Sequence, residues 1–144
     1  MDANKNVKST ITVETTVNIP VEKAWEYWTQ PEHITKWNFA SPDWCCPRAT
    51  NDIKTGGKFS ARMESVDGSM GFDFEGVYDN VIPHKLIEYS LGDERKVRIT
   101  FQNNGSSTTV TETFDPENLN PMDMQKAGWQ AIIDNYKKHA ESVK

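Results

Sequence analysis

Residues 120–140 read NPMDMQKAGWQAIIDNYKKHA, and this stretch dictates what the rest of the chain must supply. Gln125, Trp129, Ile132, Ile133, Tyr136 and Ala140 recur at three- and four-residue spacings, so a helix gathers them into one less polar stripe. Lys126, Asp134, Lys137 and Lys138 then face water. Asn120 suits an N-cap, Pro121 the first helical position, where a missing N–H costs nothing, and Asp123 can cap back. The spacing predicts a helix from Pro121 to about Glu141, with cations near the end that the macrodipole favours. A lone amphipathic helix cannot bury its own stripe. It requires an apolar sheet face.

The preceding sequence provides one. From Gly57, the residues Phe59, Ala61 and Met63 alternate with Lys58, Ser60, Arg62 and Glu64. Asp67-Gly68 then turns into Met70, Phe72, Phe74 and Tyr78, which alternate with Asp73 and Glu75. Pro83 and His84 break the run, and Ile87, Tyr89 and Leu91 resume it. Gly92-Asp93 leads into Val97, Ile99 and Phe101, and Asn103-Asn104-Gly105 into Val110, Glu112 and Phe114, with Thr109, Thr111 and Thr113 on the other parity. Short strands joined by tight turns imply an antiparallel meander. Upstream, Ile11, Val13, Thr15, Val17 and Ile19 mark a strand within residues 7–19. Pro20 opens a short helix carrying Val21, Trp25 and Trp28 on one side, and Pro31 opens another through about Trp37, with Ile34 on the same face. Residues 38–52, NFASPDWCCPRATND, are rich in turn formers and read as a loop. The predicted order is β-αα-β(several)-α, an α+β fold in which a curved antiparallel sheet wraps around a long C-terminal helix. Residues 1–144 are expected to form one domain, with residues 1–8 outside its ordered part.

Bulk properties narrow the function. A chain of 144 residues with five Trp, six Phe and four Tyr can bury a real core, on the order of two-thirds of its unfolded surface. A net charge of −5 and an acidic pI near 5.2 disfavour nucleic acid or an anionic membrane as partner. No run approaches the ~18 apolar residues of a membrane span, and the N-terminus has no apolar leader, so a cytoplasmic location and no membrane insertion are expected. Cys45 and Cys46 are adjacent, a strained spacing for a disulfide, and are expected to be reduced thiols. Three His without metal-ligand spacing give no reason to expect a metal, and no cofactor is expected. Gly56-Gly57 lacks the context of a phosphate loop and reads as a turn. Lys54, Lys58 and Arg62 read with Glu64 as a solvated outer face, and His33 and His84 as surface or turn residues.

The motifs PVEKAWEYWTQPEHITKW, GGKF, FEGVYDNVIPHKLIEYS, TTVTETF and NPMDMQKAGWQAIIDNYKKH together resemble the activator of heat-shock protein 90 ATPase homologue-like (AHSA1-like) family of the START/SRPBCC superfamily, over roughly residues 9–141. The resemblance implies the helix-grip fold and a cavity between sheet and C-terminal helix used for lipids, polyketides or other hydrophobic molecules, with some members enzymatic. The family's name adds an association with the stress response.

Two sets of residues are candidates for chemistry. Glu112 shares parity with Val110 and Phe114, which aims a carboxylate at the apolar face, where an unpaired charge is costly. It is the candidate acid, base or ligand anchor. Read structurally, it is a sheet-end carboxylate bonded to a helix group such as Gln125, or one exposed by a bulge. Trp37, Trp44, Phe59, Met63, Phe72, Phe74, Tyr89 and Trp129 form an inward aromatic and Met-rich set, suited either to an ordinary core or, with Glu112 and Gln125, to lining a ligand cavity. The expected partner is a small hydrophobic molecule; nothing indicates a protein partner. Alternatives are a cyclase- or hydrolase-type enzyme using Glu112 with Tyr89 or Asp43, and a chaperone-activator-like interaction domain.

Overall fold

The computed structural model describes residues 9–143, so the expectations for residues 1–8 lie outside the described residues. The elements run β1 (Ile11–Val17), α1 (Val21–Thr29), α2 (Pro31–Trp37), β2 (Trp44–Asn51), β3 (Lys58–Ser65), β4 (Gly71–Ile82), β5 (Leu86–Leu91), β6 (Lys96–Asn103), β7 (Thr108–Phe114) and α3 (Met122–Ser142). The strands form one seven-stranded antiparallel sheet in the order β1-β7-β6-β5-β4-β3-β2. The meander from β2 to β7 is sequential, as tight turns demand. Gly68 and Gly105 occupy their turns at φ 80° and 92°, a region that residues with a Cβ avoid. Only β1 reaches across to close on β7. The result is the curved sheet and C-terminal helix that the sequence pattern predicts, the helix-grip architecture that the family resemblance implies.

Sheet parity follows the two-residue period. Val13, Val97, Ile99, Val110, Phe114, Ile87, Tyr89 and Leu91 are all buried on one face, against which the helices pack. On the outer face, Arg62 bridges Glu64 at 2.9 Å and Asp73 at 3.4 Å, as a solvated sheet surface does. The helix α3 runs against β1 and is tied there by several bonds: Gln130 donates to the Glu14 carbonyl at 3.1 Å, Lys137 donates to the Thr16 carbonyl, and Glu141 accepts from the Asn18 N–H at 2.8 Å. Tyr136 is fully buried, donates its hydroxyl proton to the Ala24 carbonyl at 2.7 Å, and meets Trp28 and Trp37 edge-on at 4.8 and 5.2 Å. It fastens α3 to α1 and α2. His33 of α2 and His139 of α3 add an imidazole–imidazole hydrogen bond of 2.9 Å. Among the described residues no helix is long and apolar enough to cross a membrane.

Three local expectations need correction. Residues 44–51 form β2 rather than loop; it is an edge strand with a register shift between Cys45 and Arg48, and Pro47 is tolerated at that irregularity. Pro121 is the N-cap of α3 rather than its first helical residue, and no side chain caps that end. Phe72 is 51% exposed, because β4 projects beyond the helices at the hairpin tip.

Candidate functional site

Because α3 is bound along β1, and the sheet curls away from it through β5, β4 and β3, the concave face is not filled. A cavity of 240 Å³ remains, lined by β2–β7, α1, α2 and the middle of α3. Of the residues proposed from sequence, Trp37, Phe59, Met63, Phe72, Phe74, Tyr89, Glu112 and Trp129 are brought together around it. Trp44 is not: it packs with Cys46, Ala61 and Met63 in a separate small cluster and meets Phe72 at 6.1 Å. Gln125 is not either. Its side chain is buried under the loop before α3, accepting from the Glu117 N–H at 2.9 Å and donating to the Glu117 and Asn120 carbonyls at 3.1 and 2.8 Å. It therefore holds the loop that leads into α3 and has no bond to Glu112. Asp43 is exposed and does not line the cavity.

Local structure fixes the aromatic wall. Phe59 pairs with Gly76 across β3 and β4, and its ring lies over that glycine so closely that an added Cβ would sit 2.7 Å from the ring. The bare backbone lets Phe59 lie flat and meet Tyr78 at 5.2 Å, Tyr89 at 4.7 Å and Phe74 at 6.0 Å. Trp129 stacks on Phe114 at 3.8 Å and 14° and meets Phe74 edge-on at 6.3 Å, so one half-buried indole bridges helix and sheet. Offset and edge contacts of this kind each contribute about 0.5–1.5 kcal/mol beyond area burial. Gly76→Ala should drive Phe59 off its seat into the cavity, destabilising the protein by about 1–3 kcal/mol, measurable by urea unfolding, as overpacking does.

The polar groups are few. Tyr78 donates to the Asn51 side-chain oxygen Oδ1 at 2.5 Å, and the Asn51 Nδ2 donates to the Thr29 backbone carbonyl at 2.7 Å, so the two side chains are tied to each other and to α1. Glu112 lies on β7 between Val13 of β1 and Ile99 of β6, and is 5% exposed. Burial pushes its carboxyl up from 4.5 to about 8. Burial, the Glu112 charge and neighbouring Tyr78 hold the Tyr89 hydroxyl well above its ordinary value. At neutral pH Glu112 is thus predominantly a carboxylic acid.

Several lining residues were absent from the sequence-based set: Trp28, Ile34, Asn38, Tyr78, Ile87, Ile99 and Ile132. Tyr78, Ile87 and Ile99 share the inward parity of their strands and Ile132 the stripe of its helix, which are signals of burial but not of a cavity. The lining by α2 depends on how α2 docks onto β2, which no local pattern encodes.

Comparison with known proteins agrees with this architecture. The family model described as Activator of Hsp90 ATPase homolog 1-like protein matches residues 18–141. The solution NMR structure of an AHSA1-like protein from Aeromonas hydrophila is 36% identical over 93% of each chain, with a TM-score of 0.87. A solution structure from Cytophaga hutchinsonii is 53% identical over 92% of each chain, with a TM-score of 0.80. A crystal structure from Chromobacterium violaceum shares 17% identity and superposes at a TM-score of 0.83 over 94% of this chain and 99% of that one, a likeness of fold alone. No curated protein matches the chain.

Proposed function

This chain belongs to the Activator of Hsp90 ATPase homolog 1-like (AHSA1-like) family, and from that premise we propose that it acts as one domain that binds a small hydrophobic or amphipathic molecule in the cavity between sheet and α3. The observation that carries the reading is the 240 Å³ cavity under an aromatic wall, with Glu112 as the one ionisable carboxyl among the described residues that line it. Its size points to a class of ligand. A dry cavity of roughly 150 Å³ accepts benzene, and sites for drug-sized molecules span roughly 300–1,000 Å³, so a one- or two-ring aromatic or polyketide-like compound suits it better than a two-chain lipid.

The test is a calorimetric titration with naphthalene, supported by native mass spectrometry of freshly purified protein for a retained ligand. Ala49 lines the cavity and is only half-buried, so Ala49→Phe fills the space without forcing a packed core apart. Naphthalene should bind the parent protein with one-to-one stoichiometry and bind Ala49→Phe at least about tenfold more weakly, the effect of losing roughly 1.4 kcal/mol. Equal affinity for both proteins would put the compound elsewhere on the surface and defeat the proposal.

A further inference from the structure

We infer that the cavity is built for an uncharged ligand bearing a hydrogen-bond acceptor, such as a ring-borne ketone or ester carbonyl, and that Glu112 donates its carboxylic proton to that acceptor. This rests on the cavity-binding reading above and names what the cavity selects.

Glu112 stands on the inward face between Val13, 2% exposed, and Ile99, 1% exposed, and it lines the cavity. No described residue forms a hydrogen bond or ion pair with its carboxyl. Among the described residues, no fully enclosed side-chain nitrogen or oxygen lacks a partner, so the carboxyl oxygens of Glu112 are not sealed in protein; they open onto the cavity. An unsatisfied polar group at that depth costs about 1–3 kcal/mol, which a ligand group relieves on binding.

The remaining walls decide which group. Among the described residues no Lys, Arg or His lines the cavity, so an anionic ligand would meet no countercharge there and one carboxyl. Three nearby polar groups donate elsewhere: Tyr78 to Asn51, Asn51 to Thr29, and the Asn38 amide to the Met63 sulfur at 3.8 Å; the Tyr89 hydroxyl, also on the wall, has no hydrogen bond among the described residues. A protonated Glu112 and the Tyr89 hydroxyl beside it are then the donors turned to the cavity, Glu112 the more acidic of the two, and the complementary ligand group is an acceptor. The titratable groups facing it are Tyr89 on β5 and Tyr78 on β4, both held above their ordinary values; β1, β6 and α3 present Val13, Ile99, Trp129 and Ile132. Among the described residues that line the cavity, Glu112, Tyr78 and Tyr89 are the titratable groups.

Four naphthalenes of nearly equal shape separate the possibilities: 2-acetonaphthone, 2-ethylnaphthalene, 2-naphthoate and 2-(aminomethyl)naphthalene. Each is titrated calorimetrically at pH 6 and pH 9 into the parent protein, Glu112→Gln and Glu112→Leu. The ketone should bind the parent protein more tightly than the hydrocarbon at pH 6 and lose about tenfold by pH 9, as a carboxyl titrating at about 8 ionises. The hydrocarbon should be indifferent to pH. Glu112→Gln keeps a donor that does not titrate, so it should hold the ketone equally at both pH values, while Glu112→Leu should bind ketone and hydrocarbon alike. If ketone and hydrocarbon bind the parent protein equally and without pH dependence, the inference is overturned while cavity binding stands. Tightest binding of the ammonium compound, strengthening toward pH 9, would overturn it in favour of an ionised Glu112 and a cationic ligand. Binding of none of the four would overturn the cavity reading and this inference with it.

Discussion

Glu112→Gln is expected to make the protein more stable at pH 7 by about 3 kcal/mol, and to leave stability at pH 4 nearly unchanged. The unfolded chain ionises this carboxyl near 4.5, whereas burial keeps it protonated in the folded chain up to about 8. Between those values the folded state binds more protons than the unfolded state, so raising the pH favours unfolding. The stability associated with the proton is fully present below 4.5 and is lost as pH rises toward 8. At pH 7 the loss is roughly 2.5 pH units at 1.36 kcal/mol each, which gives the figure above. Glutamine has nearly the same shape and no charge to bury. Urea unfolding of both proteins at pH 4, 5.5 and 7 measures the difference directly. Parallel stability profiles would mean that the carboxylate is solvated in the folded state.

Tyr136→Ala is expected to cost about 3–5 kcal/mol, the range for deleting a large buried aromatic side chain. Tyr136 is fully buried at the junction of all three helices, with Trp28 and Trp37 on its ring and the Ala24 carbonyl on its hydroxyl. Tyr136→Phe keeps the ring and removes only the hydroxyl's bond to the Ala24 carbonyl, which the helix still uses, for about 1 kcal/mol. If the two substitutions cost the same in chemical denaturation, the ring packing contributes little and the hydroxyl is the fastening. The helix α3 needs such a fastening, because it is supported along β1 and α1–α2 rather than across the whole sheet.

How much of this was legible follows from the range over which each signal acts. The helix at Pro31–Trp37 is bounded by a proline and a short amphipathic run, both local, and its ends match the spacing. The alternation from Phe59 to Phe114 gave the sheet and its inward face because a half-buried strand must repeat every two residues. Val110, Glu112 and Phe114 are all buried in β7, as one parity requires. What escaped depends on distant partners. Trp44–Asn51 carries vicinal cysteines and a proline, so its strand exists only because β3 offers an edge with room for a bulge. Gln125 sits on the helix stripe by periodicity, but the loop at Glu117 and Asn120 turns its amide away from Glu112. Phe72 shares the inward parity, yet no helix covers that end of β4. Periodicity specifies which face is buried; it does not say how far the covering helix extends, and the cavity lies in that difference.

Isotope-filtered NOE spectroscopy of the labelled protein with saturating 2-acetonaphthone tests cavity binding most directly. Cross-peaks from the naphthalene ring protons to the Phe59 and Trp129 rings and the Met63 methyl, all on the cavity wall, are the predicted result. Cross-peaks confined to exposed apolar residues outside it, such as Leu119 and Met124, would contradict it.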